Sequence, residues 1–493
     1  MIVTVVLTSG VAILATNIDL DWRVWSILHL LTLGVMGLLS GLCVNYLPNY
    51  VKSVWKLTKE DIDLKLPELW SSLRKPLRLV GVVVTAGAVV AAGVAMRAAP
   101  TGLEPGDLVI MAASPSDRAN ARQMVVDQWN RLHPDNHARI ETAPLNSDAQ
   151  HERLVNDAKS GGRHKADLYV LDIVWMREFI QRGYIRQLDE AALSQRDLGD
   201  FVDKILKTAE DEDAKLWALP LNSDVGLIYY RTDIPGVAEP KSWEDYMGVG
   251  AKTAAGVARA SDPHITAATG AELQANDEML TISALDAMWA TGGQFVDPNG
   301  QVAMNAQGTE VEFSAQDRDG IEQLAAAAKD PEVVRNKGGD TVAAAAQAFA
   351  EHQTVFMRNW PVARDAVGDK VPFKAVAPES GTVLGGQDLA VSANTDKPRA
   401  AQALAQFLTS AASETILSEV GGFVPTRQTA LDNSRRPDAE EIQRALNAAR
   451  LRPVTCHYVE FSKLFRQGIA SAISRDGVLD ADFGERLARV LRC

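Results

Sequence analysis

The stretch Leu216–Arg231, LWALPLNSDVGLIYYR, decides the fold, because it reads as one strand entering a bend at Pro220 and a second strand leaving it. Trp217, Leu219, Val225, Leu227, Ile228, Tyr229 and Tyr230 favour extended backbone, and Pro220, Asn222 and Ser223 punctuate them. Asp224 is a single carboxylate in an otherwise apolar setting, where an unpaired buried charge is expensive. Two readings follow: a turn aspartate accepting local backbone bonds, or a ligand-facing carboxylate beside a crossover between two lobes.

Upstream of this stretch, strand and helix patterns alternate. Leu108–Ala112 is a compact apolar run bounded by turn residues, as in a buried parallel strand. Asn120–Leu132 has helical spacing through Ala121, Met124, Val125 and Trp129 and stops before His133-Pro134. Ala138–Thr142 reads as a second strand, Gln150–Ser160 as a second helix, and ADLYVLD, ending at Asp172, as a third strand. This alternation predicts a parallel α/β sheet, whose ligands gather beyond the carboxyl ends of the strands. Ser114, Ser116 and Asp117 follow the first strand, and Asp172 and Trp175 close the third, so all are candidate ligand contacts. Helix capping by the Ser and Asp residues, and core packing by Trp175, are the structural alternatives.

From here the chain resembles a known family. ADLYVLDIVWMREFIQRGYIRQLD, ALPLNSDVGLIYYRTDI, PKSWEDY, NDEMLTISALDAMWATGGQFVD, FAEHQTVFMRNWPVARDA, GGQDLAVSANTDKPRAAQALAQFLTS, GGFVPTRQTAL and RPVTCHYVEFSKLFRQGIASAIS occur in order. They are similar to the family 1 extracellular solute-binding proteins of carbohydrate ABC importers, the maltose- and trehalose-binding proteins among them. The likeness covers about 106–493.

The resemblance implies an α/β, two-lobed periplasmic-binding-protein-like fold of type II, with a hinge and a ligand cleft that closes between the lobes. Lobe one is expected at about 106–221 and 371–432, and lobe two at about 226–370 and 437–493. It also implies ligand contacts. Asp224 resembles the family's acidic residue near the crossover, and Trp360 its sugar-stacking aromatic. Asp172 and Trp175 fall where the first lobe supplies contacts, and Asp277 and Glu278 in a helix start that faces the ligand. Gly385 and Gly386 match a close approach of backbone to ligand, and Arg427 a basic cleft contact. These residue types suit a sugar. An indole covers the apolar face of a pyranose, and carboxylates accept from its hydroxyls through charge-assisted bonds about twice as strong as neutral ones. Trp289 and Trp243 read as core instead, Trp289 through a helical face with Ile282, Leu285 and Met288.

The first 99 residues depart from the family and form an expected membrane anchor module, joined through a linker at 100–105. Met1–Thr16, Val24–Leu47 and Leu79–Met96 are apolar enough for spans. Lys52, Lys56, Lys59, Lys65, Arg74, Lys75 and Arg78 lie between the second and third. The positive-inside rule puts that loop in the cytoplasm and residues after about 97 on the extracellular side of a multi-pass membrane protein. Cys43 lacks the small preceding residue of a lipoprotein site, since Leu42 stands there. Of the other two cysteines, Cys456 stands in RPVTCHY where the family commonly has proline; outside the cell it has the opportunity to pair with Cys493, and the sequence leaves that open.

Composition narrows the function classes. At 493 residues the chain exceeds one hydrophobic core. Its net charge of -13 is uneven, about +3 in the first hundred residues and about -16 beyond them, and an acidic main body argues against nucleic acid. Three cysteines make no zinc framework, and neither cofactor nor metal is expected. Three functions compete: a tethered binding protein delivering a sugar to ABC permease subunits with a separate ATPase, the ligand-sensing domain of a membrane signalling complex, and a glycosidase. The sequence shows no compact acid/base motif for the last, so the expectation is a binding protein and not an enzyme.

Overall fold

A computed structural model describes residues 102–113, 120–160, 166–271, 273–335 and 342–493. The three apolar runs of the anchor module lie outside the described residues, as do Ser114 and Asp117. Among the described residues no helix is long and apolar enough to cross a membrane.

Leu103–Cys493 is one compact unit containing two five-stranded sheets. The first sheet begins with β1 (Leu108–Ala113), which pairs parallel with β2 (Ala138–Ala143) and β3 (Leu168–Asp172). Helices α1 (Ala121–Leu132) and α2 (Ser147–Lys159) connect these parallel strands, so the expected alternation holds up to Asp172. α2 starts earlier than expected because Asn146 caps it, its side chain accepting from the Ala149 amide at 3.2 Å.

β4 (Ala218–Val225) and β5 (Leu227–Arg231) are the two strands of the opening stretch, but they part at Gly226 and not at Pro220. β4 runs straight through Pro220, which faces Asp388 where the register of the neighbouring strand shifts. That irregularity accommodates a residue with no N–H to offer the ladder. Gly226 is where the chain leaves the first sheet for the second. A Cβ there would lie 2.3 Å from the Arg358 guanidinium and 2.4 Å from the Thr382 hydroxyl, so glycine is what allows the crossing.

The second sheet mirrors the first. β6 (Ala267–Gly270) pairs parallel with the short β7 (Val334–Arg335) and with β8 (Thr354–Asn359). β5 joins β8 antiparallel and carries β9 (Phe373–Val376) on its other edge. β10 (Leu384–Val391) then inserts antiparallel between β3 and β4 in the first sheet. The return crossing therefore falls between Val376 and Leu384, later than the boundary expected near 371, because β9 completes the second sheet before the chain leaves it.

The second lobe is finished by helices. α3 (Glu278–Ala290) is buried on nearly every side, including Ile282, Leu285, Met288 and Trp289. α4 (Ala315–Lys329) and α7 (Tyr458–Ser474) pack against it and α8 (Phe483–Leu491) packs on α7, while α5 (Pro398–Leu408) covers the first sheet and α6 (Ala439–Ala448) lies over β4 and β5. Stacked rings tie the C-terminal helices down: Phe295 lies 4.8 Å from Phe313 and 5.3 Å from Phe465, and Phe313 lies 5.7 Å from Phe483. Such pairs contribute about 0.5–1.5 kcal/mol each beyond area burial. Cys456 and Cys493 are joined in a disulfide that closes α7 and α8 into one covalent loop. A further helix, Val249–Ser261, precedes β6.

Candidate functional site

Asp224 is the last polar residue of β4 before the Gly226 crossing, and Trp360 directly follows β8. The two come from different sheets yet meet across Gly385: a Cβ on that glycine would lie 3.3 Å from the Asp224 Cβ and 3.6 Å from the Trp360 ring. Both line a cavity of about 370 Å³ between the sheets, together with Asp172, Asp277, Glu278, Gly385 and Gly386. A volume of this size is at the small end of ligand cavities.

Each of these positions has a local cause. Gly386 has φ +138°, and a side chain there would meet the Asn222 carbonyl oxygen at 2.6 Å, so β4 and β10 approach this closely only through glycine. The Arg358 guanidinium lies 4.4 Å from the centre of the Trp360 ring and is itself held by Asp286 at 3.1 Å. A cation on one side of an indole and a cavity beside it leave the ring rigid and available. Burial pushes the Asp224 carboxyl up to about 7; neighbouring Asp172 adds to the rise and Arg122 opposes it. The Asn222 side-chain amide donates to Asp224 at 3.4 Å.

Asp172 and Glu278 do double duty. The Asp172 side chain caps the turn Ile173–Trp175 through the Val174 amide, as the capping alternative allows, and also accepts from Arg452 at 2.6 Å. Arg452 reaches Glu278 at 3.2 Å as well, and Glu278 further accepts from the hydroxyls of Tyr458 and of Ser462, the latter at 2.5 Å. Burial raises the Glu278 carboxyl, with Arg452 pulling the other way. Asp277 caps α3 through the Met279 amide at 2.8 Å.

Two expected contacts do not reach the cavity. Trp175 is 2% exposed and packs its ring 5.4 Å from that of His151, a core residue as the alternative reading has it. Arg427 is buried where its guanidinium donates to the Asp197 and Thr409 carbonyls, lies 4.0 Å from the Phe201 ring and pairs with Asp200 at 3.5 Å. It holds a loop of the first lobe in place, because its neighbours offer carbonyls and a ring and leave it no path to the cleft.

The cavity also holds residues that pattern reading passed over. Arg122 donates to Asn222 at 3.3 Å and to Gln387, with its guanidinium 4.7 Å from the Phe423 ring. Asp148 on α2 pairs with Arg466 on α7 at 3.0 Å. Arg466 offered a signal of the kind that marked Asp224, a charge on the helical face otherwise built from Phe461, Phe465 and Ile469. Asp148, Arg122 and Gln150 offered none, since each is ordinary in a helix sequence.

Two sheets with exchanged strands and a cavity between them that several carboxylates line define a two-lobed solute-binding fold. The chain belongs to the bacterial extracellular solute-binding protein family, whose model matches residues 125–448, and is accordingly a binding protein of ABC transporters and not an enzyme. The glycosidase alternative is thereby set aside. A protein of Deinococcus radiodurans named "Probable ABC transporter-binding protein" is 28% identical over 322 residues, 62% of this chain and 72% of that one. Maltose-bound MalE3 of T. maritima superposes with a TM-score of 0.67 at 21% identity, covering 78% of this chain and 99% of that one. The GacH receptor of Streptomyces glaucescens superposes with a TM-score of 0.65 at 19% identity, covering 78% and 98%.

Proposed function

We propose that this protein captures a small saccharide between its lobes and delivers it to the permease subunits of an ABC importer, powered by a separate ATPase. The observation that carries this reading is the meeting of Trp360 and Asp224 across Gly385 in one interlobe cavity. The indole offers area to the apolar face of a sugar ring, and Asp224 accepts from its hydroxyls. The names of similar structures support the ligand class, since they carry maltose, acarbose and tagatose.

In the same proposal the apolar runs within residues 1–99 tether the receptor as a multi-pass module, with residues after about 97 outside the cell. The Cys456–Cys493 disulfide supports that placement, because such bonds persist in oxidising compartments. The test is a thermal-shift screen of the full chain in detergent against mono- and disaccharides, followed by calorimetry on the hits. At least one sugar is expected to bind with stabilisation; failure of all of them to bind sinks the saccharide reading. Cysteine-accessibility labelling of intact cells at Lys65→Cys and at a position beyond 102 tests the orientation, with only the latter expected to react.

A further inference from the structure

The amino-terminal turn of α2 forms a wall of the cavity through Asn146, Ser147, Asp148 and Gln150. α2 is thirteen residues long, so this end carries a partial positive charge and free backbone donors. Its side chains are mostly occupied. Asn146 caps the helix, and Asp148 is held by Arg466 from the second lobe at 3.0 Å. Gln150 is different. It is 6% exposed, and its Nε2 has no hydrogen-bond partner among the described residues.

A buried amide without a partner is costly, and a Leu or Met would fill the same space without that cost. Arg452 lines the same cavity and presents a second such donor: the residue is 4% exposed, and its Nε also has no partner among the described residues. The acidic grip at Asp224 can only accept when ionised. A solute held by Asp224 alone would leave its own acceptor oxygens unmatched. We infer that Gln150 is a solute-contacting residue, its amide donating to an acceptor oxygen, hydroxyl or ring, of a polyhydroxylated ligand. The inference rests on the saccharide reading above and adds to it a residue that selects among sugars. The Asp148–Arg466 pair holds this turn of α2 against the second lobe, so the donor is in place when the cleft is shut.

The experiment uses the full chain in detergent and the sugar giving the largest thermal shift. Gln150→Met keeps the volume and removes the amide; Gln150→Glu keeps the shape and removes the donor. Both are expected to raise the calorimetric Kd at least tenfold, with the ligand-free melting temperature of Gln150→Met unchanged or higher. Among monodeoxy analogues of that sugar, one is expected to bind the unaltered protein weakly yet bind Gln150→Met as well as the parent sugar does. A Kd within threefold of the unaltered protein, or penalties that simply add for every analogue, overturns the inference while leaving the saccharide reading intact. Absence of any sugar binding by the unaltered protein overturns both.

Discussion

Asp224 and Trp360 set the terms of binding at the level of single side chains. The free Asp224 carboxyl is pushed up to about 7, mainly by burial, so it is about half protonated at neutral pH. Hydroxyl donors of a sugar favour the ionised form, so binding expels a proton. Affinity is therefore expected to rise as pH climbs from 5.5 through 7 and to level off above 8, and Asp224→Asn should bind more weakly with a flat profile. Calorimetric titrations across that range check both, and an unaltered slope in the variant would dissociate Asp224 from the site. Trp360→Ala removes the stacking face and is expected to weaken sugar binding about 30-fold, roughly 2 kcal/mol, as for other aromatic anchors. Equal heats and equal Kd for variant and parent would count against stacking. Asp224 stood out as a charge among strand formers, whereas Trp360 was singled out only by the family resemblance; the structure places both on the cavity wall. Gln150 and Arg122 were not legible, since only the fold turns those helix positions toward the cleft.

Elements explain why the cleft holds its shape. β4 and β10 run side by side because Gly386 adopts φ +138° against the Asn222 carbonyl. Gly386→Ala is expected to destabilise the fold by about 1–3 kcal/mol through backbone strain. Chemical denaturation measures the difference, and a loss indistinguishable from zero would mean that the strands can part without harm. Element types along Leu108–Asp172 followed from local pattern, because parallel strands buried on both faces read as plain apolar runs. The break at Gly226 and the late return after Val376 did not. Both depend on which strands pair across hundreds of residues, and spacing along the chain carries no record of that. Trp175 and Arg427 were misplaced for a related reason: each sits in a segment that borders the cleft, and the side chain turns the other way.

For the molecule as a whole, buried carboxylates tie stability to pH. Burial pushes Asp388 up to about 8 and Glu414 up to about 8, with Thr208 and Thr426 respectively as opposing partners. The folded state keeps protons that the unfolded chain sheds near pH 4, so this stabilisation is complete at low pH and is lost as pH rises through about 8. The melting temperature is expected to fall between pH 6 and pH 9, and Asp388→Asn should reduce the slope. Calorimetric melts at both pH values decide it; a parallel pair of curves would assign the dependence elsewhere. The lobes join at three places along the chain: Gly226, the segment before β10, and the connection from α6 into α7.

Arg452 lies on that last connection and bridges Asp172 of the first sheet with Glu278 of the second lobe. Were the halves to swing apart, one guanidinium could not follow both acids. Tyr458 and Ser462 moor Glu278 on the same half as Arg452, so the cation would stay there and Asp172 would keep only the Val174 amide. A parted receptor would thus offer an approaching solute an anion without its counterion on one jaw, and that counterion on the other.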